Sequence, residues 1–387
     1  MFGKEIMRPK ILKNVLPIGL SVLVLLILSV AFQLNLPAPT GTYAVGQTVF
    51  RWVDASRHEA MSEDPNDSRE VIAVVWYPAE RGNKAKSPYF PELSTVSKSL
   101  IESGEVTAWQ VFGLPFIHSH NLWNAAPAKS GEPYPILIFS AGNGTNVEFY
   151  TVLASELASH GYIVVGLNHP YDVAAVGLSN HQIATYSKEQ DSLAMSAHAA
   201  FIAERIRVRT EDMLFALNQL EALNVNANSP FAGIIDLKSV AVAGHSLGGI
   251  TASEACKADS RFRACLNLDG LQRGGPFSTE ATAIPPEQPF MFLTKESQLP
   301  PTLIDKFEST TESYWVVIHG ASHQSFTDGP ILQPDLLPFS NRADRIMSLV
   351  EKYTLAFLDQ TLKNQKSSLL TTSANLHDVT VNIYPSQ

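Results

Sequence analysis

Residues 240–249 read Val-Ala-Val-Ala-Gly-His-Ser-Leu-Gly-Gly. An apolar, strand-like run passes without a spacer through Gly-x-Ser-x-Gly into a helical pattern. Few chain conformations permit this. The turn between strand and helix must be so tight that a side chain at Gly244 or Gly248 would collide with the neighbouring strand or helix. The strain lifts Ser246 clear of the sheet, at a helix N-terminus where developing negative charge is favoured. A five-residue pattern alone is modest support. The strand–turn–helix context gives it weight.

The rest of the chain fits a sheet that such a turn needs. Thr42–Val53 and Val71–Tyr77 read as strands flanking the turn Ser-Glu-Asp-Pro-Asn-Asp-Ser-Arg-Glu at 62–70. Further strands are expected at Pro135–Ser140, Tyr162–Asn168, Val240–Ala243, Ala264–Leu268, Phe290–Leu293 and Tyr314–Ile318. Helices are expected over about Asn146–His160, Ser196–Leu223 and Asn341–Gln360, besides the one opening at Ser246. Short continuous apolar strands between helices imply an α/β class, with a mostly parallel, doubly wound sheet covered by helices on both faces. Residues 37–363 form the catalytic domain in this reading. Insertions at 107–126 and 170–195 interrupt its rhythm near the site, and 364–387 is a polar tail that adds little. The first insertion is rich in large apolar residues (Trp109, Val111, Phe112, Leu114, Phe116, Leu122, Trp123), which suit either a lid or packing on the sheet edge.

A serine hydroxyl is a weak nucleophile and needs a base. His319, His323 and His377 are the histidines that follow Ser246. His323 is preferred, because a loop beyond a strand can carry imidazole over the serine. His319 at the strand end reads as structural, and His377 lies in the tail. The acid that orients the base is either Asp269, ending Cys-Leu-Asn-Leu-Asp-Gly, or Glu296, following the next strand. Asp305 and Asp328 are weaker rivals. Stabilising the oxyanion takes two backbone N–H groups. One is that of Leu247, and the other comes from the loop Ala141-Gly142-Asn143-Gly144-Thr145.

Charge and composition bound the partners. Residues 1–36 hold four basic residues against one acid, so the body carries the whole formal −9 and three negative charges more. Such a body does not suit nucleic acid, and it is not drawn to anionic lipid. The uncharged run 15–32 behind that basic flank reads as a signal peptide or a membrane anchor within segment 1–36, with the body exported. Residues 34–41 read as a short stiff linker. Export permits a disulfide, but spacing cannot show geometry, so Cys256 and Cys265 are read as two buried free thiols. No metal is expected: His118-x-His120 lacks further ligands. His169-Pro170-Tyr171-Asp172 could line the pocket or pack a loop.

The ordered motifs resemble one family. They are Gly41-Thr42-Tyr43-Ala44-Val45-Gly46, Trp52-Val53-Asp54-Ala55-Ser56-Arg57, Val75-Trp76-Tyr77-Pro78-Ala79, Phe139-Ser140-Ala141-Gly142-Asn143-Gly144, Gly244-His245-Ser246-Leu247-Gly248-Gly249, Leu268-Asp269-Gly270 and Ser322-His323-Gln324-Ser325-Phe326-Thr327-Asp328. Together, over about residues 40–360, they resemble the plasma-type platelet-activating factor acetylhydrolases (lipoprotein-associated phospholipases A2) and their bacterial relatives. The resemblance implies an α/β-hydrolase fold, Asp269 as the acid with Glu296 as runner-up, and the Asn143 N–H as second oxyanion donor. It further implies calcium-independent, cofactor-free hydrolysis of short or oxidised sn-2 acyl chains of phospholipids. A lipid or small ester is then the partner, with association to a lipid surface. A general carboxylesterase or cutinase-like polyester esterase, and a binding module without catalysis, are the alternatives. Where relatives often carry His-Gly in the oxyanion loop, this chain has Ala141-Gly142.

Overall fold

A computed structural model describes residues 35–82, 84–188, 193–270, 287–296, 312–332 and 342–384. The apolar run 15–32 and the acid candidate Asp305 lie outside them.

One sheet organises the chain. Its central strands are β5 (Tyr134–Ser140), β6 (Ile163–Asn168), β9 (Ile235–His245), β10 (Phe262–Leu268), β11 (Phe290–Lys295) and β12 (Ser313–Ile318). They run parallel in the spatial order β6-β5-β9-β10-β11-β12. The hairpin of β1 (Ala44–His58) and β2 (Ser68–Ala79) adds antiparallel to β6, and β4 (His118–Trp123) and β3 (Lys86–Pro88) complete that edge. This is the mostly parallel α/β sheet expected from the strand pattern.

The alternation of side chains along each strand divides the core. Leu137 and Phe139 of β5 join Val164, Ala241, Ala243, Leu266 and Leu293 on one face. There they pack under α3 (Thr151–Ser159) and α6 (Arg342–Leu362). Ile136 and Ile138 face the other way, with Val165, Val240, Val242 and Phe292. They meet Met213, Leu217 and Leu220 of α4 (Met195–Val225) and Ala252 and Ala255 of α5 (Leu247–Ala258). Both faces are buried, so the strands read as continuous apolar runs.

Three expectations need correction. The tail is part of the sheet: β14 (Val379–Tyr384) pairs antiparallel with β12, and β13 (Ala374–Asn375) pairs with β14. Its alternation places Val379 and Val381 in the core and leaves Thr380 and Asn382 partly exposed, a half-covered edge strand that resembles a polar tail by composition. Cys256 and Cys265 are not free thiols but form a disulfide with Cα atoms 6.2 Å apart, joining α5 to β10. The fold supplies the approach that spacing could not show. Finally, the segment read as a linker is docked on the body. Leu36 is buried with its N–H on the His118 carbonyl, and the Thr40 N–H reaches Glu156 at 2.7 Å.

Helix α1 (Leu93–Ser103) precedes the first insertion, which itself forms α2 (Ala108–Gly113), a short 3-10 turn at Leu114–Phe116, and β4. Its apolar content divides: the aliphatic Val111 and Leu114 are buried, while the aromatic Trp109, Phe112 and Phe116 are 79, 65 and 51% exposed. The second insertion folds into a small hairpin of β7 (Ala175–Gly177) and β8 (Ile183–Thr185). The Gly144–Val173 bridge ties it to the loop after β5.

Candidate active site

Ser246 sits between β9 and α5 with φ 56° and ψ −122°, a strained conformation for a residue with a side chain. The glycines explain how it is tolerated. A methyl on Gly244 would run into the Gly248 carbonyl, and one on Gly248 into the Ser140 carbonyl of β5. The Ser246 N–H is held by the Leu268 carbonyl at 2.9 Å, so the turn is tied to the end of β10. The residue that follows β10 is Asp269. It too has a left-handed backbone, φ 49°, and its N–H bonds the Leu293 carbonyl at 2.9 Å. Two strained non-glycine residues therefore stand side by side at the carboxyl edge of the sheet, where open α/β sheets place their ligands.

Asp269 is buried, and its Oδ2 lies 2.6 Å from Nδ1 of His323. His323 opens a 3-10 turn, His323–Phe326, beyond β12, braced by reciprocal Ser322–Ser325 hydrogen bonds. It stays a quarter exposed. The imidazole of His245, the residue before Ser246, packs 4.5 Å from that of His323 between ring centroids, and its Nε2 donates to the His323 carbonyl at 3.0 Å. The base candidate is thus fixed by its acid on one side and by the strand that ends at the serine on the other.

The other candidates lie elsewhere. Glu296 is exposed and bonds His319 Nδ1 at 2.9 Å, while His319 Nε2 meets Thr380 Oγ1 at 2.9 Å. Both candidates are therefore used on the β12–β14 edge. Asp328 is buried at the start of α3, accepting from the Thr151 and Val152 N–H groups at 2.9 and 3.1 Å and from the Tyr89 hydroxyl at 3.0 Å. It is a helix cap. His377 is exposed beside Asp378. Among the described residues no group of three or more His, Cys, Asp or Glu is arranged to hold a metal ion.

Leu247 opens α5 directly after the serine, with its side chain buried. In the facing loop, the Gly142 N–H donates to the Tyr150 hydroxyl at 3.0 Å, the Gly144 N–H to the Asp172 carbonyl at 2.8 Å, and the Thr145 N–H to the Gly142 carbonyl at 3.2 Å. The Asn143 side chain donates to the Tyr186 hydroxyl at 2.8 Å. Ala141 in this loop is buried, and its carbonyl accepts from Arg209.

Beneath this loop lies a polar network that sequence reasoning missed. Arg209 of α4, fully buried, also donates to Ser140 Oγ at 3.0 Å. Ser140 Oγ lies 2.9 Å from His169 Nε2, and His169 Nδ1 lies 2.7 Å from Asp212. Arg69 pairs with Asp212 and Glu59 at 2.6 Å each, and Asp172 is clamped by Arg205 at 2.7 Å. Of the two roles open to His169 and Asp172, loop packing is the one realised. Burial pushes His169 down to about 4, so it stays neutral. Arg69 and the His169 contact hold Asp212 ionised against the opposing cost of burial. The available signal was charge on an otherwise apolar helix face, since Arg205, Arg209 and Asp212 share the side of α4 that carries Ile202, Ile206 and Met213. For Tyr150 there was none.

This chain has relatives among known proteins. The family described as platelet-activating factor acetylhydrolase, isoform II, matches residues 28–374. A platelet-activating factor acetylhydrolase from Cavia porcellus is 30% identical over 281 residues, an alignment covering 63% of this chain and 61% of that protein. Here the match spans less than two thirds of the relative's length. The Bos taurus protein of the same name is 25% identical over 86% of this chain and 79% of its own. Among solved structures, a ferulic acid esterase from Streptomyces cinnamoneus superposes with a TM-score of 0.69 at 25% identity, over 90% of this chain and 98% of that one.

Proposed function

The chain belongs to the platelet-activating factor acetylhydrolase isoform II family, and from that premise we propose that it is a serine hydrolase of carboxylic esters, cleaving short or oxidised sn-2 acyl chains from phospholipids. The observation that carries the reading is the 2.6 Å contact of Asp269 with His323 beside a serine on a strained strand–helix turn.

The chemistry follows from that arrangement. His323 takes the Ser246 hydroxyl proton on Nε2 while Asp269 holds the Nδ1–H and stabilises the imidazolium. Ser246 Oγ adds to the sn-2 carbonyl carbon. Charge gathers on the carbonyl oxygen, which the N–H groups of Leu247 and Asn143 receive. Losing one such donor typically costs about 3 kcal/mol of transition-state stabilisation. The intermediate then expels the glycerol oxygen, which takes the proton from His323. Water, activated by the same imidazole, releases the acyl group and restores Ser246.

Substrate of this kind resides in a lipid surface, and α2 offers a way to reach it. Trp109, Phe112 and Phe116 share one exposed face, their rings 5.8 and 5.9 Å apart in sequence. Exposed contiguous aromatics rimmed by polar groups suit an interface, and the anionic body favours a zwitterionic phosphatidylcholine surface over an anionic one. No helix among the described residues is long and apolar enough to cross a membrane. The segment 15–32 lies outside them, and we infer from its basic flank that the body is exported.

The test compares release of acetate and of palmitate from the sn-2 position of matched phosphatidylcholines, in EDTA, with Ser246→Ala as control. Acetate release abolished by the substitution, with palmitate left uncleaved, is the expected result. Brisk cleavage of simple esters with neither phospholipid touched would move the assignment to a general carboxylesterase.

A further inference from the structure

Three loops must keep their relative positions while charge moves through this site: the oxyanion loop at Gly142, the nucleophile turn at His245, and the turn carrying His323. The first is joined to the second by two hydrogen bonds through Tyr150, and the second to the third by one. The Gly142 N–H donates to Tyr150 Oη at 3.0 Å, Tyr150 Oη lies 2.9 Å from His245 Nδ1, and His245 Nε2 lies 3.0 Å from the His323 carbonyl oxygen. The directions are determined. A carbonyl can only accept, so His245 carries its proton on Nε2. Its Nδ1 is then an acceptor, and the donor to it is the Tyr150 hydroxyl. From these contacts we infer that Tyr150 and His245 are positioning residues that hold the oxyanion loop, the serine turn and the catalytic histidine in register. This inference rests on Ser246, Asp269 and His323 being the reacting groups.

Burial supports the assigned protonation. It holds His245 down at about 3, aided by neighbouring His323, and lifts the Tyr150 hydroxyl well above its ordinary value, so both are neutral at physiological pH. That neutrality matters, because the two imidazole rings are only 4.5 Å apart. A second cation there would oppose the proton that His323 must accept. Space is equally constrained. A methyl on Gly142 would stand 3.2 Å from Tyr150 Oη and 3.3 Å from His245 Nδ1, so glycine lets the loop close onto the relay.

The test measures kcat and KM of the full chain on 4-nitrophenyl acetate for Tyr150→Phe, His245→Leu, their double variant and Ser246→Ala. Tyr162→Phe serves as a control, being another buried tyrosine, bonded to Asp359 at 2.7 Å away from the site. Displacement of reacting groups by a fraction of an ångström to an ångström costs up to about 100-fold. Tyr150→Phe is therefore expected to lower kcat by about 10- to 100-fold with KM within about twofold, while Tyr162→Phe keeps wild-type kcat. The double variant should fall no further than the worse single one, as members of one unit do. Wild-type kcat in Tyr150→Phe, an equal loss in Tyr162→Phe, or single effects that multiply would each overturn the inference. If Tyr150→Phe does not fold, His245→Leu decides in the same way, with wild-type kcat again the overturning result. Activity retained in Ser246→Ala would overturn the underlying reading and the relay with it. A dead Ser246→Ala beside an undiminished Tyr150→Phe would overturn the relay alone.

Discussion

At the scale of single residues, the choice of acid lies between two carboxylates that composition cannot distinguish. Asp269 and Glu296 each follow a strand and each bonds a histidine. Asp269 is buried against His323, whereas Glu296 is 65% exposed on His319. Asp269→Asn removes the charge that stabilises the imidazolium and permits the wrong tautomer, so kcat should fall by about 10⁴-fold with little change in KM. Glu296→Gln should leave kcat unaltered. The pair of measurements separates the two acids, and the reverse outcome would move the acid to Glu296.

At the scale of elements, the disulfide clasps the helix that begins at Ser246 to the strand that ends before Asp269. The loop it closes is short, and chain-entropy reasoning puts its contribution at about 2–3 kcal/mol. Cys256→Ser with Cys265→Ser should lower the denaturant midpoint accordingly, and reductant should have no further effect on that variant. The aromatic face of α2 makes a different prediction. Trp109→Ala with Phe112→Ala removes rings that are already solvated, so the unfolding midpoint should hold. Burial of two such rings in an interface contributes a few kcal/mol, so hydrolysis on phosphatidylcholine vesicles should fall by at least about tenfold. Turnover of a water-soluble ester should not change. Equal losses on both substrates would place the face in the catalytic centre rather than at a lipid surface.

At the scale of the whole molecule, buried ionisable groups pull stability in opposite directions with pH. His169 is held down at about 4 by burial, against an ordinary value of about 6.5. A base depressed by folding contributes stability that is complete above its unfolded value and lost as pH falls through its folded one. Glu148 and Asp328 are pushed up to about 7 by burial, and their contribution is lost as pH rises through that value. The difference between wild type and His169→Gln isolates one term. The gap between their unfolding midpoints should be widest above pH 6.5 and narrow as pH falls toward 4. A gap independent of pH would show that His169 is not held neutral.

Much of this molecule was determined by local sequence. The Gly-x-Ser-x-Gly turn sets its own backbone because only glycine fits against the Gly248 and Ser140 carbonyls. The central strands announce themselves because burial on both faces requires unbroken apolar runs. What tertiary structure alone decided are pairings between distant residues. Nothing local distinguishes Asp269 from Glu296, makes Cys256 meet Cys265, or turns half-apolar residues 379–384 into a sheet edge. Tyr150 likewise looks like an ordinary packing residue until its hydroxyl meets the Gly142 N–H and His245. Periodicity reports which face of an element is buried. It does not report which buried polar atom will meet which, because that depends on how separate elements are brought together.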